Sequence, residues 1–245
     1  MNTTDWFVGS ASRSINPDAT ERAAQGTFAT INTPLMVHAI GFRGEDCLLA
    51  IVVCDIREPD RIDLSSVRFH INLHPITPVE VIIIASGTSA APAYTATSAA
   101  YQHQVVHAIT DSVIDALTFG CPAVMRVTPH AIQWRKFDEL PIATLTFHAA
   151  GTQLSGADQT ALIQQCHAPV LCVTHAHYAA PIPITQLLHD IATASKQAVT
   201  QVRWRHDGPE WSLQVNDVVM RFVPARTSGA VAAHTIAIDP HGPAR

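Results

Sequence analysis

Three histidines have the types and spacing of a metal site. His175 and His177 stand one residue apart at the end of the apolar run VLCVTH, and His148 ends another such run, TLTFH. Residues two apart in an extended chain point the same way, so His175 and His177 can face one ion, which His148 joins from a neighbouring strand end. Three protein ligands and an open position make a catalytic zinc site. Its metal-activated water would hydrolyse an amide or ester bond.

A second candidate chemistry is nucleophilic. The apolar run VIIIA leads into the hydroxyl-rich turn SGTSAAP, in which Ser89 is a candidate nucleophile for a base such as His177. Asp55 ends the run LLAIVVCD and is a candidate base or metal ligand. The sequence has no G-x-S-x-G elbow and no glycine-rich phosphate loop.

Each of these patterns also has a simpler interpretation. The chain contains 14 histidines spread along its length, so hydrogen-bonded histidines without a metal account for the same letters. Hydroxyl groups at a strand end commonly satisfy backbone groups, and an aspartate such as Asp55 commonly caps a turn or the next helix. No cofactor is therefore expected, and zinc at His148, His175 and His177 is the alternative.

The elements that would position these residues alternate between strands and helices, by apolar periodicity and turn signals. In the first half we predict strands at Trp6–Ile15, Pro34–Phe42, Cys47–Asp55 and Val79–Ala85, and helices between Asp60 and Pro75 and between Ser98 and Gly120. In the second half we predict strands at Ala123–Trp134, Ile142–His148 and Val170–Thr174, helices at Ala157–Cys166 and Ile184–Lys196, a hairpin at Ser212–Val223 and a strand over HTIAID.

From Pro34 in the first half and from Ala123 in the second, the elements follow the order β, β, α, β, which indicates an α/β fold with two pseudo-repeats. Shifting VIIIASGTSAAP by 89 positions places it on VLCVTHAHYAAP, with four of twelve residues identical. We expect a single domain over residues 1–245, with pseudo-halves at about 1–120 and 121–240.

Composition limits the classes of partner. The chain is 47% apolar and 14% charged, with a formal charge of -5 and no cluster of lysine or arginine, which argues against nucleic-acid binding. A small or lipid-like molecule stays open as a partner, and the oligomeric state cannot be read from the sequence. No transmembrane segment or export signal is expected. Five cysteines without CxxC spacing indicate reduced thiols and a cytoplasmic location.

The succession FVGSASRSINP, LMVHAIGF, LLAIVVCDI and PVEVIIIASGTSAAPAY resembles the N-terminal catalytic domain of the neutral, non-lysosomal ceramidases. The resemblance is best over the first 120 residues and continues through TLTFHAAGT, VLCVTHAHYAAP and VVMRFVPAR. It implies an α-β-β-α layered sandwich of mixed sheets. It also implies an amide hydrolase that uses a zinc ion and a serine nucleophile.

The resemblance places the family's functional positions on residues that mostly cannot perform the same chemistry. Its paired histidines fall on Gly87 and Ser89, its serine on Ala180 and its zinc-binding glutamate on Arg226, while one zinc histidine is retained as His148. We therefore expect a ceramidase-like protein that is non-catalytic or changed in activity. The alternative is a metal-dependent hydrolase of amide or ester bonds with the rebuilt histidine site.

Overall fold

The computed structural model describes residues 7–21, 34–44, 48–56, 62, 64–76, 78–86, 91–92, 97–128, 131–136, 140–149, 161, 164, 170–175, 185, 202–207, 210–215, 218–227 and 230–239. In these residues the strands are β1 (Phe7–Ser14), β2 (Met36–Arg43), β3 (Leu48–Cys54), β4 (Glu80–Ala85), β5 (Cys121–Thr128), β6 (Ala131–Lys136), β7 (Pro141–Ala149), β8 (Val170–His175), β9 (Val202–Asp207), β10 (Glu210–Val215), β11 (Val218–Thr227) and β12 (Ala230–Asp239). The two longer helices are α1 (Leu64–Asn72) and α2 (Ala99–Thr118).

These strands form one mixed sheet in the order β4-β3-β2-β1-β5-β6-β7-β8-β12-β11-β10-β9. β1, β2 and β3 are antiparallel neighbours, and α1 connects β3 to the parallel strand β4. β5, β6 and β7 repeat the antiparallel arrangement, and β8 then runs parallel to β7. Among the described residues, the two sets of strands join where β1 pairs with β5 through Phe7 and Val8. The fold is thus α/β with a mixed sheet.

Strands that are distant in the sheet order also touch. β1 contacts β7, β3 contacts β8, and β4 contacts β12. The rings of Phe42 in β2 and Trp134 in β6 lie 5.3 Å apart, and Ser10 in β1 donates a hydrogen bond to the carbonyl oxygen of Ile142 in β7. One face of β1–β4 is therefore covered by later strands of the same sheet.

The helices cover the opposite face of β1–β4. α2 begins after Ser98, whose side chain accepts a hydrogen bond from the backbone N–H of Tyr101, as helix N-caps usually do. Its buried positions include Val105, Ile109 and Val113, which recur at helical spacing and pack with Val52 of β3 in one apolar core. Neither this helix nor any other that the structure describes is long and apolar enough to cross a lipid bilayer.

Close packing of α2 depends on two glycines in β1 and β2. Gly9 and Gly41 are register partners beneath Ala116 of the helix. A Cβ atom at Gly41 would lie 2.8 Å from the Ala116 carbonyl carbon, and one at Gly9 would meet the Ala116 carbonyl oxygen at still shorter range. Glycine is therefore required here for close approach of helix to sheet.

Most of the predicted elements are confirmed, including the β2–β3 hairpin, α1, β4, α2, the β10–β11 hairpin and β12. One prediction is wrong: Ala123–Trp134 is not a single strand but parts of β5 and β6, which pair antiparallel. β5 ends at Thr128 and β6 begins at Ala131, and the sequence between them includes Pro129, a residue type that lacks the backbone N–H needed within a sheet ladder. β9 was not predicted, because its sequence VRWRHD is rich in charge.

The two helices predicted for the second half fall almost wholly outside the described residues. Ala161 and Gln164 are helical within the predicted Ala157–Cys166, and Thr185 is helical within Ile184–Lys196. These positions agree with the predictions as far as they reach.

Candidate functional site

Four polar residues share the face of β1–β4 that points away from the helices. Ser12 is the register partner of His38, which is the partner of Val53. Asp55 lies two residues beyond Val53, so it belongs to the same face. Ser86 occupies the corresponding position just after β4, because its backbone N–H donates to the carbonyl oxygen of Cys54. We call these four residues, Ser12, His38, Asp55 and Ser86, the polar cluster.

His38 is the most buried member of the polar cluster, with 8% of its surface exposed. Its Nδ1 atom lies 2.7 Å from Oγ of Ser12, a hydrogen bond whose direction depends on the imidazole tautomer. Its Nε2 atom is buried and has no hydrogen-bond partner among the described residues. A buried polar atom without a partner is uncommon in folded proteins and marks a place where a water or a ligand atom fits.

Asp55 is held at the end of β3 by backbone groups on both sides. Its carboxylate accepts a hydrogen bond of 3.0 Å from the N–H of Met36, and its own N–H donates to the Met36 carbonyl oxygen at 2.9 Å. The Ser86 hydroxyl lowers the pKa of the Asp55 carboxyl group. Oγ of Ser86 nevertheless forms no hydrogen bond of normal distance and angle with the described atoms. Two buried polar atoms of the polar cluster, Nε2 of His38 and Oγ of Ser86, are thus left without partners of normal geometry among the described residues.

Burial moves the pKa values of the two titratable members toward each other. Burial raises the pKa of Asp55 above its ordinary value, and this outweighs the lowering by Ser86, by the charge of His38 and by the Met36 N–H. Burial lowers the pKa of His38, against the opposing effect of the Asp55 charge. Burial, and secondarily Asp55, also raises the pKa of the Cys54 thiol. Perturbed carboxyl and imidazole groups that face each other are typical of functional sites.

The geometry differs from that of a catalytic triad. In a triad the imidazole joins the serine through one ring nitrogen and the carboxylate through the other. Here Ser12 occupies Nδ1, while Asp55 acts on His38 through its charge and makes no hydrogen bond to it. The arrangement leaves Nε2 of His38 able to hydrogen-bond to a bound molecule. It does not activate Ser12 as a nucleophile in the triad manner.

The residues predicted for the rebuilt histidine site are only partly described. In the β7–β8 ladder His148 is the register partner of Thr174, and His175 is the partner of Ala149. Ser89 and His177 lie outside the described residues, and the three-histidine set stays a prediction.

Of the other positions that the resemblance singles out, Arg226 is described by the structure. Arg226 lies in β11 next to a register shift between Ala225 and Arg226. Gly87 and Ala180 lie outside the described residues. Among the residues that the structure does describe, no three His, Cys, Asp or Glu side chains are grouped closely enough to hold a metal ion.

Asp55 is predicted from the sequence as a candidate site residue, whereas Ser12 and His38 are not. His38 interrupts an otherwise apolar run, LMVHAIGF, in a strand that proves fully buried over most of its length. A titratable residue in such a run must be satisfied by a neighbour, because burying an unpaired polar group is costly. The sequence therefore shows that His38 needs a partner, but only the strand register shows that the partner is Ser12 on β1.

Comparison with known proteins finds similarity in structure but not in sequence. The sequence matches no family model, and the search of curated proteins also found no match. Among solved structures, a ceramidase complexed with C2 superposes with a TM-score of 0.54 and 11% sequence identity, over 93% of this chain and 49% of that chain. A human cytomegalovirus terminase nuclease domain gives a TM-score of only 0.15 at 12% identity over 76% of this chain and 72% of that chain.

The first likeness defines the class of this protein by its fold. The chain has a ceramidase-like α/β fold, and it spans about half of the length of the ceramidase chain that it matches. At this level of identity the similarity concerns the fold alone.

Proposed function

We propose that this protein is a ceramidase-like domain that has lost the zinc and serine chemistry of that family and acts as a binding or assembly domain. The observation that carries the proposal is the ceramidase-like fold over 93% of the chain, combined with the residues at the family's functional positions. Those positions hold Gly87, Ser89, Ala180 and Arg226, none of which supplies the expected imidazole, nucleophile or carboxylate.

Coordination chemistry supports the loss of the metal. A catalytic zinc ion is held by three protein ligands, and its affinity depends on their number and protonation. His148 is the one family ligand retained by the resemblance, and Arg226 brings a positive charge where an anionic ligand is expected. A cation at that position would repel zinc.

We also propose that the sheet is folded into an α-β-β-α layered sandwich of two pseudo-repeats. The contact between Phe42 and Trp134 and the hydrogen bond from Ser10 to Ile142 support the layering. The matching strand orders β1-β2-β3-β4 and β5-β6-β7-β8, each ending in a parallel pair, support the repeat. In this arrangement the polar cluster lies between the two sheet layers, where a small or lipid-like molecule would find an apolar surface with few polar groups.

Metal analysis tests the proposal directly. The tag-free protein, purified without chelator, should contain far less than one zinc ion per chain, and it should not hydrolyse a panel of N-acyl amides and esters. A tightly held stoichiometric zinc ion that is lost in His148→Ala would contradict the proposal. Turnover that disappears in His148→Ala and His177→Ala but persists in Ser89→Ala would instead establish the metal-dependent hydrolase.

A further inference from the structure

Two histidines on different helices meet at the surface of the helical layer. His70 lies in the last turn of α1 and His107 lies in the middle of α2. Their ring centres are 4.8 Å apart and the rings are tilted by 49°. His107 is exposed and His70 is partly exposed, so both rings can be reached from the solvent.

The ring nitrogens of both residues are available. No hydrogen bond or ion pair engages either imidazole within the part of the chain that the structure describes, and the remaining ring contact is that of His70 with Phe69 at 5.6 Å.

The separation fits two imidazoles that bind one metal ion. Metal–nitrogen distances of about 2.0–2.1 Å place the centres of two imidazoles on the same ion about 4.5–5.5 Å apart. The 4.8 Å between the rings of His70 and His107 falls in that interval. Imidazole nitrogen suits zinc, copper and nickel, whereas Mg²⁺ and Ca²⁺ prefer oxygen.

The backbone already holds the pair in place. α1 and α2 pack against each other, and Ile71 of α1 and Ile109 of α2 are buried in the same core. Little conformational entropy is therefore lost in bringing His70 and His107 together, which favours binding. One turn further along α2, the exposed carboxylate of Asp111 adds negative charge to this surface.

We propose that His70 and His107 form a surface site for a late first-row divalent cation such as Zn²⁺ or Ni²⁺, completed by water. The site is separate from the polar cluster and from the predicted His148, His175 and His177 set. It does not depend on the proposed function, since it uses neither the face of β1–β4 between the sheet layers nor any position of the ceramidase resemblance.

Isothermal titration calorimetry of the tag-free full chain with ZnCl₂ and NiCl₂ tests the site. Loss of second-shell partners alone costs metal sites about 10–100-fold in affinity, so His70→Ala and His107→Ala should each weaken binding at least about tenfold. The matched control is His103→Ala, which removes an exposed imidazole one turn away on α2 and should leave the affinity unchanged. MgCl₂ should give no binding.

Each contrary result has a definite meaning. Unchanged binding in His70→Ala with loss in His103→Ala would overturn the cross-helix site and assign the ion to His103 and His107. Binding that survives both His70→Ala and His107→Ala would place the ion elsewhere and also overturn it. His70→Gln and His107→Gln repeat the test with less change in side-chain volume, and unchanged circular dichroism confirms that the variants are folded.

The same variants separate this site from the test of the proposed function. Zinc that is lost with His107→Ala but kept in His148→Ala belongs to the helices and leaves the proposed function intact. Zinc with the opposite dependence contradicts the proposed function and leaves the helix site unsupported.

Discussion

The Oγ atom of Ser12 and the Nδ1 atom of His38 lie 2.7 Å apart across the β1–β2 pair, which fixes one nitrogen of a buried imidazole and leaves the other without a partner. This relationship determines which protonation state His38 prefers. A histidine held in this way is stable as the neutral ring, because protonation would place a positive charge on a buried group.

The first prediction concerns the dependence of stability on pH. Burial lowers the pKa of His38 below its ordinary 6.5 in the folded state. The unfolded chain therefore binds a proton more readily, and the stability due to neutral His38 is present above pH 6.5 and is lost as the pH falls below it. Urea unfolding of the wild type should show this loss as the pH falls below 6.5 toward the lowered folded-state pKa. His38→Leu should show less of it.

The contribution of Asp55 to stability changes with pH in the opposite direction, which provides a check on the assignment of the pH effect to His38. Burial raises its folded-state pKa above 3.8, so its contribution is present below pH 3.8 and declines as the pH rises through the folded value. Replacing Asp55 should therefore not reproduce the effect of His38→Leu. An identical pH profile for the wild type and His38→Leu would show that the imidazole is not buried as described.

The second prediction distinguishes the charge of Asp55 from its role as an acceptor. Asp55→Ala removes the acceptor for the N–H of Met36 and should cost about 1–3 kcal/mol, the usual penalty for a stranded buried polar group. Asp55→Asn keeps a side-chain oxygen in the same place and removes only the charge. Its free energy of unfolding should stay closer to the wild type at neutral pH. Equal losses of unfolding free energy in the two variants would mean that the charge of Asp55, and not its hydrogen bond to Met36, stabilises the fold.

The sequence predicts the elements better than it predicts the site. Apolar runs such as LLAIVVC and the Ser98 cap specify strands and helices through local physics, and the structure agrees. The polar cluster depends on the register that sets Ser12 beside His38, residues separated by 26 positions, and register cannot be read from one chain. The division into β5 and β6 was not predicted because two adjacent apolar strands and one long strand have similar sequences.

The third prediction concerns the contact of α2 with the sheet. Gly41→Ala would put a Cβ atom 2.8 Å from the backbone of Ala116, which cannot move without displacing the helix. Overpacking of this kind costs about 1–3 kcal/mol, and urea unfolding at a fixed pH measures it. Gly120→Ala is the matched control, since its nearest neighbour would be 3.5 Å away. Equal effects of the two substitutions would show that α2 does not approach β2 as closely as the structure has it.

The last prediction tests the proposed layering of the sheet through the contact between Phe42 and Trp134. Both side chains are about 1% exposed and their rings meet edge to face at 5.3 Å. Trp134→Ala should cost about 3–5 kcal/mol through the cavity that it leaves. A double-mutant cycle with Phe42→Leu should give a coupling energy of about 0.5–1.5 kcal/mol, the usual value for an aromatic pair.

The control for this cycle is Phe69, an aromatic residue that is 62% exposed on α1. Phe69→Ala should change the stability by less than about 0.5 kcal/mol and show no coupling to Trp134→Ala. Since Phe42 and Trp134 belong to strands that are not neighbours in the sheet, coupling between them requires the layers to face each other. Additive effects of Phe42→Leu and Trp134→Ala would therefore contradict the layered packing and remove the polar cluster from between the sheets.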